Sequence, residues 1–198
     1  MIDKKSLALF DLDGTLTAGD SLFGFILYAF GLNRVVFGAV LLMPYLIAYR
    51  LKILDGDSAK EAVFKHFFAN KRVSLFDSLA QDYFDNHLKM KLRKSGLQKL
   101  QWHINQGHDV VVVSASAFWV YPVTKYLGVE CICTLLEERS GIYTGFYQGK
   151  NCNRSEKVRR IKEIYDIDQY REVFAYGDSD GDTEMLSISS HRFYRPFR

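Results

Sequence analysis

Three cysteines in 198 residues, Cys131, Cys133 and Cys152, are odd in number and form no C-x-x-C pair. A disulfide framework, a zinc ribbon and a dithiol redox motif are therefore excluded, and the three read as reduced thiols filling a core. Charge of one sign is also missing: 26 Lys and Arg stand against 23 Asp and Glu, a formal net charge of +3. So mild a balance makes no case for a nucleic-acid partner, and no RNA- or DNA-binding motif is present. Internal repeats and low-complexity tracts are absent. Met1-Ile2-Asp3-Lys4-Lys5 leads into an apolar run without a signal-peptide pattern, which sets the expectation of a cytoplasmic protein. The length suits one doubly wound α/β core plus an insertion rather than two full domains.

The run Leu7-Ala8-Leu9-Phe10 has the form of a strand buried on both faces, as in a parallel sheet. Directly behind it comes Asp11-Leu12-Asp13-Gly14-Thr15-Leu16-Thr17, two carboxylates where open α/β sheets bind their ligands. A like-charge pair at about 4 Å costs roughly 4 kcal/mol at an effective dielectric near 20. One acid is therefore protonated or a cation joins them, unless Asp-Gly only makes a tight turn. Two further segments favour the cation. Arg171–Tyr176 reads as a strand running into Gly177-Asp178-Ser179-Asp180-Gly181-Asp182, and Asp109–Val113 ends in Ser114-Ala115-Ser116. Acid, hydroxyl and acid at three strand ends form the all-oxygen ligand set of a hard cation such as Mg²⁺, which shares its shell with phosphate oxygens. Lys157 in Asn153-Arg154-Ser155-Glu156-Lys157 can supply the positive side chain, with Asn153 capping its helix and Glu156 at the third position.

In that order, Asp11-Leu12-Asp13-Gly14-Thr15, Ser114, Lys157 and Gly177-Asp178-Ser179 with Asp182 resemble the four motifs of the haloacid dehalogenase superfamily of phosphatases. The resemblance spans residues 11 to 182 and is to the branch that contains phosphoserine phosphatase. It implies a Rossmann-like parallel sheet with a helical cap inserted after the first strand. Asp11 would be the nucleophile, forming an aspartyl-phosphate, and Asp13 the acid and then the base. Mg²⁺ would be held by Asp11, the backbone carbonyl of Asp13, and Asp178, with Asp182 assisting. Gly14, Thr15, Ser114, Ala115 and Lys157 would hold the phosphoryl group. The chemistry suits these roles: a covalent intermediate divides one hard displacement into two easier ones, and the second acid needs a pKa above that of a free Asp. Arg154 stands where many members carry Gly.

On this reading residues 1–19 and 92–198 form the catalytic core and 20–91 a wholly helical cap. Ala59, Ala62, Val63 and Phe67 mark one helix, capped by Asp57, and Phe76, Leu79, Ala80, Tyr83, Phe84, His87 and Leu88 mark another. His87 reads as packed or half-exposed rather than catalytic. Val35 to Tyr49 is uncharged and bracketed by Arg34 and Arg50. Fifteen helical residues reach about 22 Å, short of a roughly 30 Å hydrocarbon core, and Pro44 would kink them. Two readings stay open: a helical hairpin buried in the cap, or an apolar face meeting lipid, which the basic flanks Arg34, Arg50 and Lys52 would suit. The second would make the protein peripheral to the inner face of a membrane.

Substrate follows from that choice. Phosphoserine enzymes of the branch carry a Glu nine residues after the nucleophile for the substrate amine; here the position is Asp20. The cap arginine that takes the carboxylate has two candidates, Arg50 and Arg72. The apolar cap instead resembles relatives acting on lipid phosphates. An amphiphilic or lipid phosphomonoester is the expectation, with phosphoserine or another small metabolite ester as the alternative. A receiver-type phospho-acceptor module gathers similar residues at strand ends but is much shorter and lacks the insertion. Farther along, Leu135–Glu138 and Ile142–Tyr147 can pair across Arg139-Ser140-Gly141 as a surface hairpin or a flap. His191–Arg198 reads as a last edge strand ending at Pro196 or as a basic tail at an anionic surface.

Overall fold

The computed structural model describes residues 4–198. Met1, Ile2 and Asp3, part of the leader argument above, lie outside the described residues. In chain order the strands are β1 (Leu7–Phe10), β2 (Lys71–Arg72), β3 (Asp109–Ser114), β4 (Glu130–Cys133), β5 (Leu136–Arg139), β6 (Ile142–Tyr147), β7 (Val173–Gly177) and β8 (His191–Tyr194). The helices are α1 (Ser21–Arg50), α2 (Gly56–Phe68), α3 (Val73–Tyr83), α4 (Lys94–Asn105), α5 (Tyr121–Leu127), α6 (Ser155–Ile164) and α7 (Thr183–Ser187).

Five strands pair in parallel in the order β4-β3-β1-β7-β8, so the apolar run 7–10 lies at the centre of the expected doubly wound sheet. Successive side chains of a strand point to opposite faces, and each face has its own core. Ala8, Phe10, Val110 and Val112 pack with Leu100 of α4 and Val123 of α5. Leu7, Leu9, Val111 and Val113 pack with Ile161 of α6 and Met185 of α7. The last strand, β8, is one of the two edge strands, as one reading of the C-terminal segment expected, though it ends at Tyr194 rather than Pro196.

The insertion leaves and re-enters the core through two antiparallel segments, joined by Ala18 N–H to Lys91 O (2.8 Å) and Arg93 N–H to Leu16 O (2.8 Å). It is helical apart from Lys71–Arg72, which pair antiparallel with β6. Aromatic rings attach it to the core: Phe25 stacks on Trp119 at 5.4 Å, and Phe68 meets Phe118 edge-on at 5.7 Å. The cap of α2 is Asp55, whose carboxylate accepts from Ser58 N, and not Asp57. His87 is exposed beside the Tyr28 ring.

Helix α1 is broken at Gly31 (φ 76°, ψ 162°), and its second half runs unbroken from residue 32 to 50 through Pro44, about 28 Å at 1.5 Å per residue. Its burial contradicts the reading of 35–49 as a buried hairpin. Only Val35, Gly38 and Leu42 are buried, a seam at helical spacing, with Gly38 over the His66 and Phe67 rings of α2. Phe37 is 63% exposed, Val40 58% and Ile47 53%. One short neighbour, α2, cannot cover a helix that is apolar on every side.

Strands β5 and β6 form the expected hairpin, but the turn is the two residues Ser140 and Gly141 (φ 52° and 75°), a twist-matched tight turn, with Arg139 in the strand. The hairpin carries the cap. Strand β2 adds to its edge, and α2 lies so close that a Cβ on Gly145 (φ +86°) would fall 2.6 Å from Lys65 Cα. Gly145→Ala combines a left-handed backbone penalty with overpacking and should lower stability by about 2–5 kcal/mol. Urea unfolding measures this; an unchanged midpoint would show that α2 and the hairpin are not fixed against each other.

Candidate active site

Strand register brings the motifs together. Phe10 lies beside Val112 on one side and Tyr176 on the other, so Asp11, Ser114 and Asp178 project from the same carboxyl edge. There they line a cavity of about 440 Å³ together with Asp13, Gly14, Asp20, Ala115 and Lys157. Two expected residues lie off its wall. Thr15 is buried with its hydroxyl unpartnered, and Asp182 stands behind Lys157.

Lys157 is buried with all three protons used. It donates to Asp11 Oδ1 (2.7 Å), Asp182 Oδ1 (2.6 Å) and Val113 O (2.9 Å). Burial alone would lower its pKa, but the two carboxylates outweigh that and hold it protonated. Asp11 is pushed up to about 7, first by burial, then against the pull of Lys157 by Asp182 and Asp13. Asp182 goes the other way, since Lys157 and the Asp178 and Ser179 amides overcome its desolvation. Both its oxygens are engaged, so Asp182 orders the Asp178 loop and the lysine.

Asp13 is held by a clamp. Its Oδ1 accepts from Ser21 N (2.9 Å) and its Oδ2 from the hydroxyls of Ser21 (3.0 Å) and Ser116 (2.5 Å). Trp119 Nε1 donates to Ser21 Oγ (2.9 Å) and fixes the serine in turn. Burial raises the Asp13 pKa despite these donors, which suits an acid that must carry a proton. Ser21, Ser116 and Trp119 were not assigned roles from sequence; only the serine-rich ends of the flanking motifs hint at them.

Several local expectations change. Asn153 does not cap α6; its side chain accepts from the next amide, Arg154 N, and Glu156 pairs with Arg159 and Arg160 instead of closing a capping box. Arg154 adopts φ +51°, a backbone that glycine reaches without strain. Asp20 lines the cavity, but one oxygen caps α1 at Phe23 N. Arg50 and Arg72 are exposed and do not line it. Two cations unforeseen in the motifs do: Lys60 of α2, and Arg198, whose guanidinium pairs with Asp178.

The donor set fits a divalent cation. Single oxygens of Asp11, Asp178 and Asp182 lie within 4.8 Å of one another. Gly14 (φ +83°) leaves room beside them, because a Cβ there would fall 2.4 Å from Asp178 Oδ2.

A family profile of haloacid dehalogenase-like hydrolases matches residues 8–187. The chain belongs to that family. It is 34% identical over 195 residues to protein CicA of Caulobacter vibrioides, covering 97% of this chain and 86% of that protein. Its fold is similar to a Bordetella pertussis protein of unknown function (TM-score 0.81, 24% identity, 94% and 88% of the two chains). It is also similar to a substrate-bound phosphoserine phosphatase (TM-score 0.67, 16% identity, 97% and 86%). In this haloacid dehalogenase-like hydrolase Asp11, Asp13 and Lys157 meet at one sheet edge, with burial raising the pKa of both aspartates.

The raised Asp11 pKa has a consequence for stability. In metal-free protein the folded state keeps a proton on Asp11 that the unfolded chain releases near 3.8. Asp11 therefore lowers stability as pH rises from 3.8 to about 7. Chelated Asp11→Asn should show a flatter fall over that window than chelated wild type; parallel pH–stability curves would contradict it.

Proposed function

We propose that the protein is a Mg²⁺-dependent phosphomonoester phosphatase acting through an aspartyl-phosphate on an amphiphilic, lipid-like ester. An Asp11 oxygen bonds to phosphorus as the ester P–O bond breaks, and Asp13 gives its proton to the departing alkoxide. Asp13 then takes a proton from water, whose oxygen bonds to phosphorus as the acyl-phosphate P–O bond breaks, releasing phosphate and Asp11. Lys157 keeps the nucleophile oriented, and Ser114 and the Ala115 backbone meet the phosphoryl oxygens. Mg²⁺ held by Asp11, the Asp13 carbonyl and Asp178 would neutralise phosphoryl charge.

The observation that carries the lipid reading is the uncovered helix 32–50. Among its residues Phe37, Val40, Leu41, Tyr45, Ile47 and Tyr49 are exposed. A contiguous apolar surface of that kind marks an interaction site. Arg34, Arg50 and Lys52, all exposed, bracket it and favour an anionic leaflet. The helix also ends beside the site. A Cβ on Gly56 would lie 3.4 Å from the Tyr49 ring, and Lys60, about one helical turn farther on, lines the cavity. A bilayer against this surface would present headgroups near the cavity roof. Three unpaired cysteines and the basic flanks support a place at the cytoplasmic face of a membrane.

Chelation should abolish turnover and added Mg²⁺ restore it. Asp11→Asn should give no acid-stable acyl-phosphate, whereas Asp13→Asn with an activated ester should accumulate one and turn over roughly 10²–10⁴-fold more slowly. Labelling of the Asp11 variant would place the nucleophile elsewhere. Val40→Gln with Ile47→Gln, both exposed, should leave a soluble ester unaffected and cut hydrolysis of a vesicle-borne phosphomonoester more than tenfold, since each side chain is worth on the order of 1.5–3 kcal/mol when embedded. Equal rates on vesicles for variant and wild type would return phosphoserine-like small substrates to first place.

A further inference from the structure

Lys60 is a cap cation that reaches the cavity with no carboxylate in ion-pair contact among the described residues. Its ammonium donates to two neutral acceptors, Ala115 O (2.7 Å) and Asn151 Oδ1 (3.3 Å). Among the described residues no carboxylate lies within ion-pair distance of it, whereas Lys157 sits between two and Arg160 holds Glu156. Burial pushes the Lys60 pKa down, only partly offset by Asp13, Asp20 and Asp57.

The placement is built rather than incidental. Asp57, nearly one turn earlier on α2, accepts from Asn151 Nδ2 (2.6 Å) and, through its carbonyl, from the Tyr147 hydroxyl (3.1 Å). Thr134 Oγ1 lies 2.9 Å from Asn151 Oδ1 and 2.7 Å from Ala115 O, the two acceptors that Lys60 uses. A half-buried ammonium held this way, at the wall of a cavity, is placed to meet an anion there. On the phosphomonoester reading the phosphoryl group has its own cation in Lys157, which comes from α6 of the core and donates to Asp11.

We propose that Lys60 is the counter-ion for a second anionic group on the substrate, so that the ester favoured by this enzyme carries a carboxylate or a phosphodiester on its alcohol portion. This rests on the phosphomonoester reading above and adds a charge requirement to it. Lys60 is thereby a specificity residue, discriminating between esters rather than driving the chemical step.

The test uses matched soluble esters. Glycerol 3-phosphate has no second anion; 3-phosphoglycerate replaces its terminal CH₂OH by a carboxylate; a glycerol phosphate bearing a methyl phosphodiester on the other primary hydroxyl supplies the second source. Wild type should show kcat/KM at least tenfold higher on one or both anionic esters than on glycerol 3-phosphate, and the arm that gains identifies the anion. In Lys60→Met that ratio should fall to near one, and Lys60→Arg should restore most of it. A ratio unchanged by Lys60→Met, or an equal loss on all three esters, overturns the proposal, the latter placing Lys60 on the phosphoryl group itself. Calorimetric binding of the same esters to Asp11→Asn and to Asp11→Asn with Lys60→Met reads the discrimination without turnover. No hydrolysis of any ester or of p-nitrophenyl phosphate with Mg²⁺ overturns the phosphatase reading, while the binding ratio still decides Lys60. Lys60→Gln, with its melting temperature measured, replaces the Met variant should that fail to fold.

Discussion

The buried contact of Lys157 with Asp11 and Asp182 is the constraint on which the site depends. Three parallel strands deliver carboxylates to one edge of a sheet with little water to screen them, and two acids at that edge repel by several kcal/mol. One ammonium between them removes the repulsion and leaves two consequences. Asp182 is held ionised, and its second oxygen is free to gather the Asp178 and Ser179 amides and the Ser179 hydroxyl, giving the loop its shape. Asp11 remains strained toward its protonated form, ready for a cation or a phosphoryl group to lower its energy. The same lysine thus orders the loop and leaves Asp11 dependent on a further positive charge to ionise.

The core and its motifs were legible because each lies in a few adjacent residues. Leu7–Phe10 is apolar without interruption, Val110–Val113 is β-branched, and both carry their polar groups immediately after the strand. What escaped depends on contacts across long stretches of chain. Ser116 meets Asp13 across 103 residues and Lys60 meets Ala115 across 55, so no local spacing announces either. Helix caps failed for a different reason. Asp55 and Asp57 are both acceptable caps by residue type, and the choice was made by Asn151, which takes the Asp57 side chain from outside the helix. Asn153 shows the same competition: its carbonyl accepts from Glu156 N while its side chain turns back to Arg154 N.

The apolar segment was a place where sequence left two structural outcomes open. Its composition is equally suited to a protein interior and to lipid. What decides between them is how much of it the chain covers, and most of its large apolar side chains stay exposed. Val35, Gly38 and Leu42 form its buried seam, with Gly38 against His66 and Phe67 of α2, while Phe37, Val40, Leu41, Tyr45 and Ile47 around it are exposed. A helix with a polar outer face could end there as an ordinary surface helix. This one has no polar face between Arg34 and Arg50.

These two features, the pinned cap and the uncovered helix, constrain how a substrate reaches Asp11. The hairpin β5–β6 grips α2 at Gly145 and adds β2 to its edge, and Asn151 fastens the first turn of α2 to the core. Fastened at both places, the cap forms a roof that brings Lys60 to the cavity. On the proposed function, selectivity comes from what the roof presents, an ammonium with no carboxylate in ion-pair contact, and from where the roof is anchored, beside an exposed apolar helix. An ester with an anion near its phosphate and an apolar remainder held outside the cavity satisfies both at once. A small zwitterion would meet Lys60 with its carboxylate and, with its amine, an Asp20 that keeps one of its two oxygens for capping α1.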